Sequence, residues 1–465
     1  MELAMTHLFV SPFTASEPQR NRRLLLTLPA ACALPTWLTA CGGGADLSYD
    51  TEQALYFVGE AITPNKPQPA PPNPPPPGHT APRFTVFPPL PAGLTLNAQT
   101  GVISGTPTKL KRQGTHLVVA TNNKGFADTQ VRITVTGRGS WSPVAPVPGA
   151  RAFASISPLP GGKFLVAGGQ RNEGATASAQ IYDPSTATWS AAASMLEARA
   201  FHVAVTLRDG RVLVVAGRNV NADVGGSELY DPVANTWTAA GQTNETRAFC
   251  TAHLLASGKV LVVGGITLSS GNENFHDTAE LYDPAEGVWT PLLTRLSTPR
   301  ARHAAALLPD GKTLLVAGGD GVGTAELYKV NGSATKVIPY GVEGNSYKAV
   351  KLDDGSVLVT TDGSEQSRRY HPTTSTWTTS TAVHGRRSFY TLTLLADGRV
   401  LMDGGGLPSS AAEIYNPDVN QWTTATPMDV RRFGAAAALL GDGSVLLVGG
   451  KSGDASVDAS ERYLP

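Results

Sequence analysis

The residues most able to do chemistry recur along the C-terminal two thirds of the chain at similar intervals. Arginine stands at Arg151, Arg199, Arg247, Arg300, Arg387 and Arg431, with Asn345 in the remaining copy. Three residues further on come Ala154, His202, Cys250, His303, Lys348, Tyr390 and Gly434. A ring of guanidinium groups could grip carboxylates. Two imidazoles, a thiol and a phenol are also donor types that metals accept. A side chain repeated in nearly every unit serves the unit, so the arginines are expected to satisfy neighbouring backbone carbonyls. The positions that vary are expected to carry ligand specificity. The candidate channel or binding residues, the two arginines included because their guanidinium groups could grip carboxylates, are Arg199, His202, Cys250, Arg300, His303, Lys348 and Tyr390. No catalytic residue, metal or cofactor is assigned, and Cys250 is read as a small buried side chain.

The element that must position these residues is a repeat. A tyrosine recurs in the hexapeptides around Tyr182, Tyr230, Tyr282, Tyr328, Tyr370, Tyr415 and Tyr463, spaced 42 to 52 residues apart. A tryptophan follows seven residues later at Trp189, Trp237, Trp289, Trp377 and Trp422. Before each tyrosine lies an apolar strand ending in paired small residues, from Gly168-Gly169 to Gly449-Gly450, with Thr361-Asp362 as the degenerate pair. Trp141 precedes the first complete repeat at the same ten-residue step from Arg151 that separates Trp189 from Arg199. It is expected to form the outermost strand of the last repeat and so close a ring, removing an exposed edge.

The order of apolar strand, diglycine, Tyr and Trp resembles the Kelch motif, whose period of about 50 residues is one four-stranded propeller blade. The resemblance implies an all-β fold, a seven-bladed Kelch β-propeller over residues 139–465, and a binding scaffold for a protein or glycan. The segment from Arg300 to Gly311 also resembles the inner strands of galactose oxidase, a copper-radical enzyme on the same fold. That family has a tyrosine directly before a ligand histidine, where this chain has Phe201 before His202 and Arg302 before His303. A copper oxidase, or an enzyme like the sialic-acid mutarotases built on Kelch propellers, is therefore the alternative to a non-catalytic binding protein. Within the third repeat, Ile266 to Asp277 is a longer insertion holding Asn272, Asn274, Phe275 and His276, a candidate contact loop.

Ahead of the repeats, residues 47–138 alternate like strands without helical periodicity. Their centre, Leu90 to Pro107, resembles the signature of immunoglobulin-like domains in bacterial surface proteins, which implies a β-sandwich acting as a stalk or spacer. The proline-rich run from Pro64 to Pro77 must be extended, because proline fixes φ and lacks a donor. Residues 1–41 read as a signal peptide: Arg20, Arg22 and Arg23 precede an apolar stretch that ends in Leu38-Thr39-Ala40-Cys41. That ending resembles a bacterial lipobox, with Cys41 the lipidation site and residues 42–46 a tether. The implied location is the outer membrane or cell surface, or the periplasm.

Composition excludes other classes. The 37 basic and 37 acidic residues of the 465 cancel, and no basic run offers a local nucleic-acid site. Gly (49) and Pro (35) are abundant and charged residues make up only 16%, which suits short strands and tight turns. Three cysteines, two of them in the leader, cannot build a disulfide framework.

Overall fold

The computed structural model describes residues 47–219, 222–269, 272–330, 336–406 and 409–465. The expected signal peptide, with Cys32 and Cys41, lies outside them. Every regular element of the described residues is a strand apart from one three-residue 3₁₀ turn at Pro160–Gly162.

Residues 47–136 make the first module. Gln53–Phe57 runs parallel to Gly125–Thr136, which pairs antiparallel with Lys111–Asn122, and Arg83–Phe87 is the far edge strand. Two short pairings, Ser48–Tyr49 with Pro67–Gln68 and Leu94–Leu96 with Ile103–Gly105, cover this sheet. Phe84, Ile103, Val118, Val131 and Ile133 fill the space between. Of its prolines, the proline-rich run contributes only Pro67 to the pairing, beside Gln68 and a single bridge from Asn65 to Ile103, since proline has no N–H to donate.

The remaining described residues form seven four-stranded antiparallel sheets, with three short two-stranded pairings beside them. Blade 1 comprises Ser155–Pro158, Phe164–Ala167, Ala179–Asp183 and Thr188–Ala192 from the inside outward. The inner strands of blades 2 to 7 are Val203–Thr206, Thr251–Leu254, Ala304–Leu307, Tyr347–Lys351, Thr391–Leu394 and Ala436–Leu439. Each inner strand contacts the next, and the last contacts the first, so the sheets close into a disc around an axial channel. The outer strand of blade 7 is Ser140–Val144, paired with Ser460–Leu464 so that Trp141 faces Tyr463. First and last segments of the disc thus share one sheet.

The second strands (Val212–Val215, Val260–Val263, Val445–Val448 among them) are buried on both faces and therefore read as unbroken apolar runs rather than alternating ones. Each repeat tyrosine is buried between blades, and its tryptophan packs on it at a centroid distance of 4.9 to 5.3 Å. Blade 4 breaks this pattern: its Tyr328 is buried without a tryptophan of its own repeat.

The first module does not stand off from the disc. Arg112 pairs with Asp353, Gln113 N–H donates to Asp418, Arg399 donates to Thr136 Oγ1 and the Gly137 carbonyl, and Arg138 bridges Glu60 and Thr424. Asp353 and Arg399 flank turns between first and second strands, and Asp418 lies in a turn between third and fourth strands. In an antiparallel blade these turns share one face, opposite the loops that enter the inner strands. The module therefore sits on the far side of the disc from those loops.

Candidate functional site

The loops entering the inner strands converge on one mouth of the channel. There the backbone of successive blades is stitched by hydrogen bonds: Tyr347 N–H to Arg302 O, Arg302 N–H to Phe249 O, Phe249 N–H to Phe201 O, Phe201 N–H to Phe153 O, Phe153 N–H to Gly434 O, and Gly434 N–H to Phe389 O. Phe153, Phe201, Phe249, Arg302 and Phe389 hold left-handed backbone with φ between 54° and 57°. Bulky side chains avoid that region at a cost on the order of 1–3 kcal/mol each. The surrounding structure sustains it here, and the result is a collar of aromatic rings over the channel.

Phe153 packs against Phe201 at 4.5 Å and edge-on to Phe389 at 5.4 Å, Phe201 against Phe249 at 4.7 Å, and Phe433 lies 6.2 Å from Phe389. Gly434 is required in blade 7, because a Cβ there would lie 2.5 Å from the Phe153 ring. Arg302 completes the circle, its guanidinium 4.3 Å from the centroid of Phe249 and paired with Asp320. Below the collar the channel holds about 490 Å³. Beside it, between blades 4 and 6, a second space of about 360 Å³ is bordered by Arg302, Asp320, Asn345, Ser346, Asp362 and Phe389.

The stitch breaks once, between blades 5 and 6. The Phe389 N–H, which should find the Tyr347 carbonyl, is taken instead by Asp362 Oδ2 at 3.0 Å. Asp362 is the residue that replaces the second glycine of the degenerate pair. Its other oxygen is buried without a partner, and burial raises its pKa to about 6. A carboxyl raised in this way from its ordinary value near 3.8 stabilises the fold below that value, and the contribution is lost as pH rises through about 6. Asp362→Asn, which keeps an acceptor for Phe389 without a charge, should therefore raise stability by about 1–3 kcal/mol at pH 8. The gain should vanish below about pH 4. Thermal melts of both proteins across that range decide it, and equal melting temperatures at pH 8 would remove the carboxylate's role.

The structure redistributes the residues that the sequence nominated. Arg199 and Arg300 do not reach the channel. Each is fully buried in its own blade, Arg199 Nη2 2.6 Å from Glu228 and Nη1 on the carbonyls of Ala216 and Gly226, Arg300 2.5 Å from Glu326 and on the Gly318 carbonyl. Arg247, Arg387 and the blade 7 arginine repeat this arrangement with Glu280, Glu413 and Glu461. In blade 7 the arginine is Arg432, not Arg431, which is exposed. The varying position of that blade is accordingly Ala435 rather than Gly434. Arg432 takes the buried place because Glu461 and the Gly449 and Ala459 carbonyls face it.

His202 and His303 border the channel wall but do not converge. They belong to blades 2 and 4, and each turns its Nε2 sideways onto a hydroxyl of the preceding blade, Ser155 at 2.8 Å and Thr251 at 3.1 Å. Each Nδ1 is buried without a partner. Burial holds both imidazoles down to about 3, so they stay neutral at physiological pH. Cys250 is buried, and its thiol is pushed up to about 11, the behaviour of a packing residue. Tyr390 is buried and donates to Thr360 Oγ1 at 2.7 Å. Lys348 alone of the nominated polar side chains remains partly open to the channel.

The collar phenylalanines, Asp362 and Asp320 are not among the site residues that the sequence nominates, although Phe201 and Asp362 stand in its repeat pattern. A signal existed for the arginine partners: glutamate stands two residues before the repeat tyrosine in five of the seven hexapeptides. It is missing from blade 5, which has Arg368 there and Asn345 in place of the arginine.

Two family descriptions match the chain, "Putative Ig domain" over residues 52–137 and "Kelch motif" over residues 159–196. Among solved structures, a fungal alcohol oxidase of the AA5 family in complex with copper superposes with a TM-score of 0.58 at 18% identity, covering 70% of this chain and 76% of that one. The chain is an Ig-like module followed by a Kelch propeller. A second solved structure, YjhT, gives a TM-score of 0.46 at 14% identity over 69% of this chain and 96% of that one. No curated protein matches.

At this identity the alcohol oxidase shares the fold, and its copper raises the question of whether this Kelch propeller has a place for one. The donors do not fit. The two imidazoles are wedged between blades with their outward nitrogens on hydroxyls. Tyr390 is committed to Thr360, and among the described residues no three His, Cys, Asp or Glu side chains come together.

Proposed function

We propose that this protein is an exported, lipid-anchored, non-catalytic binding protein, and that the phenylalanine collar of its Kelch propeller receives a glycan. The collar is the observation that carries this reading. Aromatic faces offer flat apolar surfaces on which the C–H faces of sugar rings pack, and Phe389 is already 39% exposed. Polar groups beside the collar, Arg302, Asp320, Asn345 and Ser346, supply the directional contacts that orient such a ligand.

The position of the Ig-like module supports the same reading. It occupies the face opposite the collar, so a membrane anchor at Cys41, just ahead of the module, leaves the collar directed outward. Two acyl chains at that residue would hold the protein firmly on a membrane.

The test is a glycan-array screen followed by calorimetry. Phe153→Ala with Phe389→Ala should weaken the best ligand by roughly 1,000-fold, since a central aromatic anchor carries about 2 kcal/mol and each 1.4 kcal/mol is about tenfold. Cys41→Ser should release the protein from the membrane fraction. Glycan binding that survives loss of both rings would refute the collar as the site, and membrane retention without Cys41 would refute the anchor.

A further inference from the structure

Lys348 differs from every other polar side chain at its level of the channel. His202 and His303 are each secured by a hydroxyl on the preceding inner strand, Ser155 and Thr251. The residue that blade 4 offers in the matching place is Ala304, which has neither donor nor acceptor. Among the described residues the Lys348 amine makes no hydrogen bond and no ion pair, its backbone alone being paired, in the sheet. Asp362 and Asp403 act on it electrostatically, yet each has one oxygen already engaged, by the Phe389 N–H and by the Thr391 hydroxyl at 2.6 Å. The other oxygen of each carboxyl has no hydrogen bond, and the amine, drawn toward them but bonded to neither, borders a cavity large enough for a small ligand.

An amine so placed has nucleophilic chemistry open to it. Desolvation lowers its proton affinity, as it does for lysines that form imines. The two carboxyls coupled to it, held up to about 6 by burial, keep their protons to higher pH than exposed carboxyls do.

We propose that Lys348 is a carbonyl-capturing residue, whose Nζ adds to the aldehyde or ketone carbon of a small ligand admitted past the phenylalanine collar and forms a reversible imine. The nitrogen lone pair bonds to the carbonyl carbon, the π pair moves to oxygen, and a proton passes from nitrogen to oxygen to give a carbinolamine. A second proton, returned afterwards, lets the hydroxyl leave as water while the nitrogen lone pair forms the C=N bond; addition of water reverses the sequence. No oxidant or reductant enters. The proposal rests on the reading that the channel takes a ligand, and it adds the chemical class.

The test uses the full chain with benzaldehyde as probe and cyanoborohydride to reduce any imine to a stable amine, followed by peptide mapping. One adduct is expected at Lys348, formed at least about tenfold faster than at any surface lysine. Lys348→Arg keeps the charge and should abolish it, and Ala304→Ser should slow it by giving the amine a hydroxyl partner. Labelling spread evenly over the lysines of the wild-type chain would overturn the proposal whether or not the variants fold. If glycan binding depends on the collar while labelling is even, only the imine chemistry falls. If neither is seen, the binding reading falls with it.

Discussion

Removal of residues 460–465 is expected to abolish cooperative folding of the propeller rather than trim a tail. Ser460–Leu464 is the third strand of blade 7, and it alone joins Val445–Val448 to the outer strand Ser140–Val144. Its loss deletes Tyr463, which is fully buried and donates to the Arg138 carbonyl at 3.0 Å. Emptying a buried aromatic site costs about 3–5 kcal/mol. It also deletes Glu461, leaving Arg432 buried and unpaired, at about 3–5 kcal/mol more. Those terms together approach the whole net stability of roughly 5–15 kcal/mol that a folded domain possesses. The opened disc would also expose two strand edges to aggregation. The measurement is a thermal melt with limited proteolysis, alongside a control lacking only the exposed Pro465. A truncated chain that melts at the wild-type temperature would show that the ring does not depend on this closure.

Arg300→Ala should destabilise the protein by about 3–5 kcal/mol without altering ligand affinity per folded molecule. The guanidinium fork holds Glu326 and the carbonyls of Gly318 and Thr324, and both charged side chains are fully buried. Removing one partner strands the other charge in a low-dielectric site. Replacing both, as in Arg300→Met with Glu326→Met, leaves no charge behind and should recover most of the loss. Denaturant titration of the single and double variants measures this directly. A single variant as stable as the wild type, or one that lost ligand binding while still folded, would return Arg300 to the list of binding residues.

The blades were legible in the sequence because a blade is a local object. Its four strands lie within one repeat, so the spacing of Tyr182 to Trp189 or of Gly168-Gly169 to Tyr182 reports contacts made inside a single sheet. Closure at Trp141 could be read for the same reason, the unpaired tryptophan and the repeat lacking one being complementary halves of one pattern. The arginine–glutamate pairs are equally local, since Glu228 and Arg199 belong to one blade.

The site depended on relations between blades. Whether His202 faces the axis or its neighbour is settled by Ser155, 47 residues earlier, which no motif links to it. Whether Lys348 is satisfied turns on Ala304 in the preceding blade, and whether the collar closes turns on Asp362 intercepting one backbone N–H. The Arg431 and Arg432 ambiguity was of this kind as well, because adjacent arginines are equivalent in sequence and only the carboxylate of Glu461 distinguishes them.

The sequence by itself thus determined the all-β repeat, its count of tyrosines and the side chains that hold each sheet together, since these follow from alternation and spacing over a few dozen residues. Only the tertiary structure decided which of the polar residues reach the channel. That outcome depends on how seven inner strands, each about 45 residues from the next, meet around one axis.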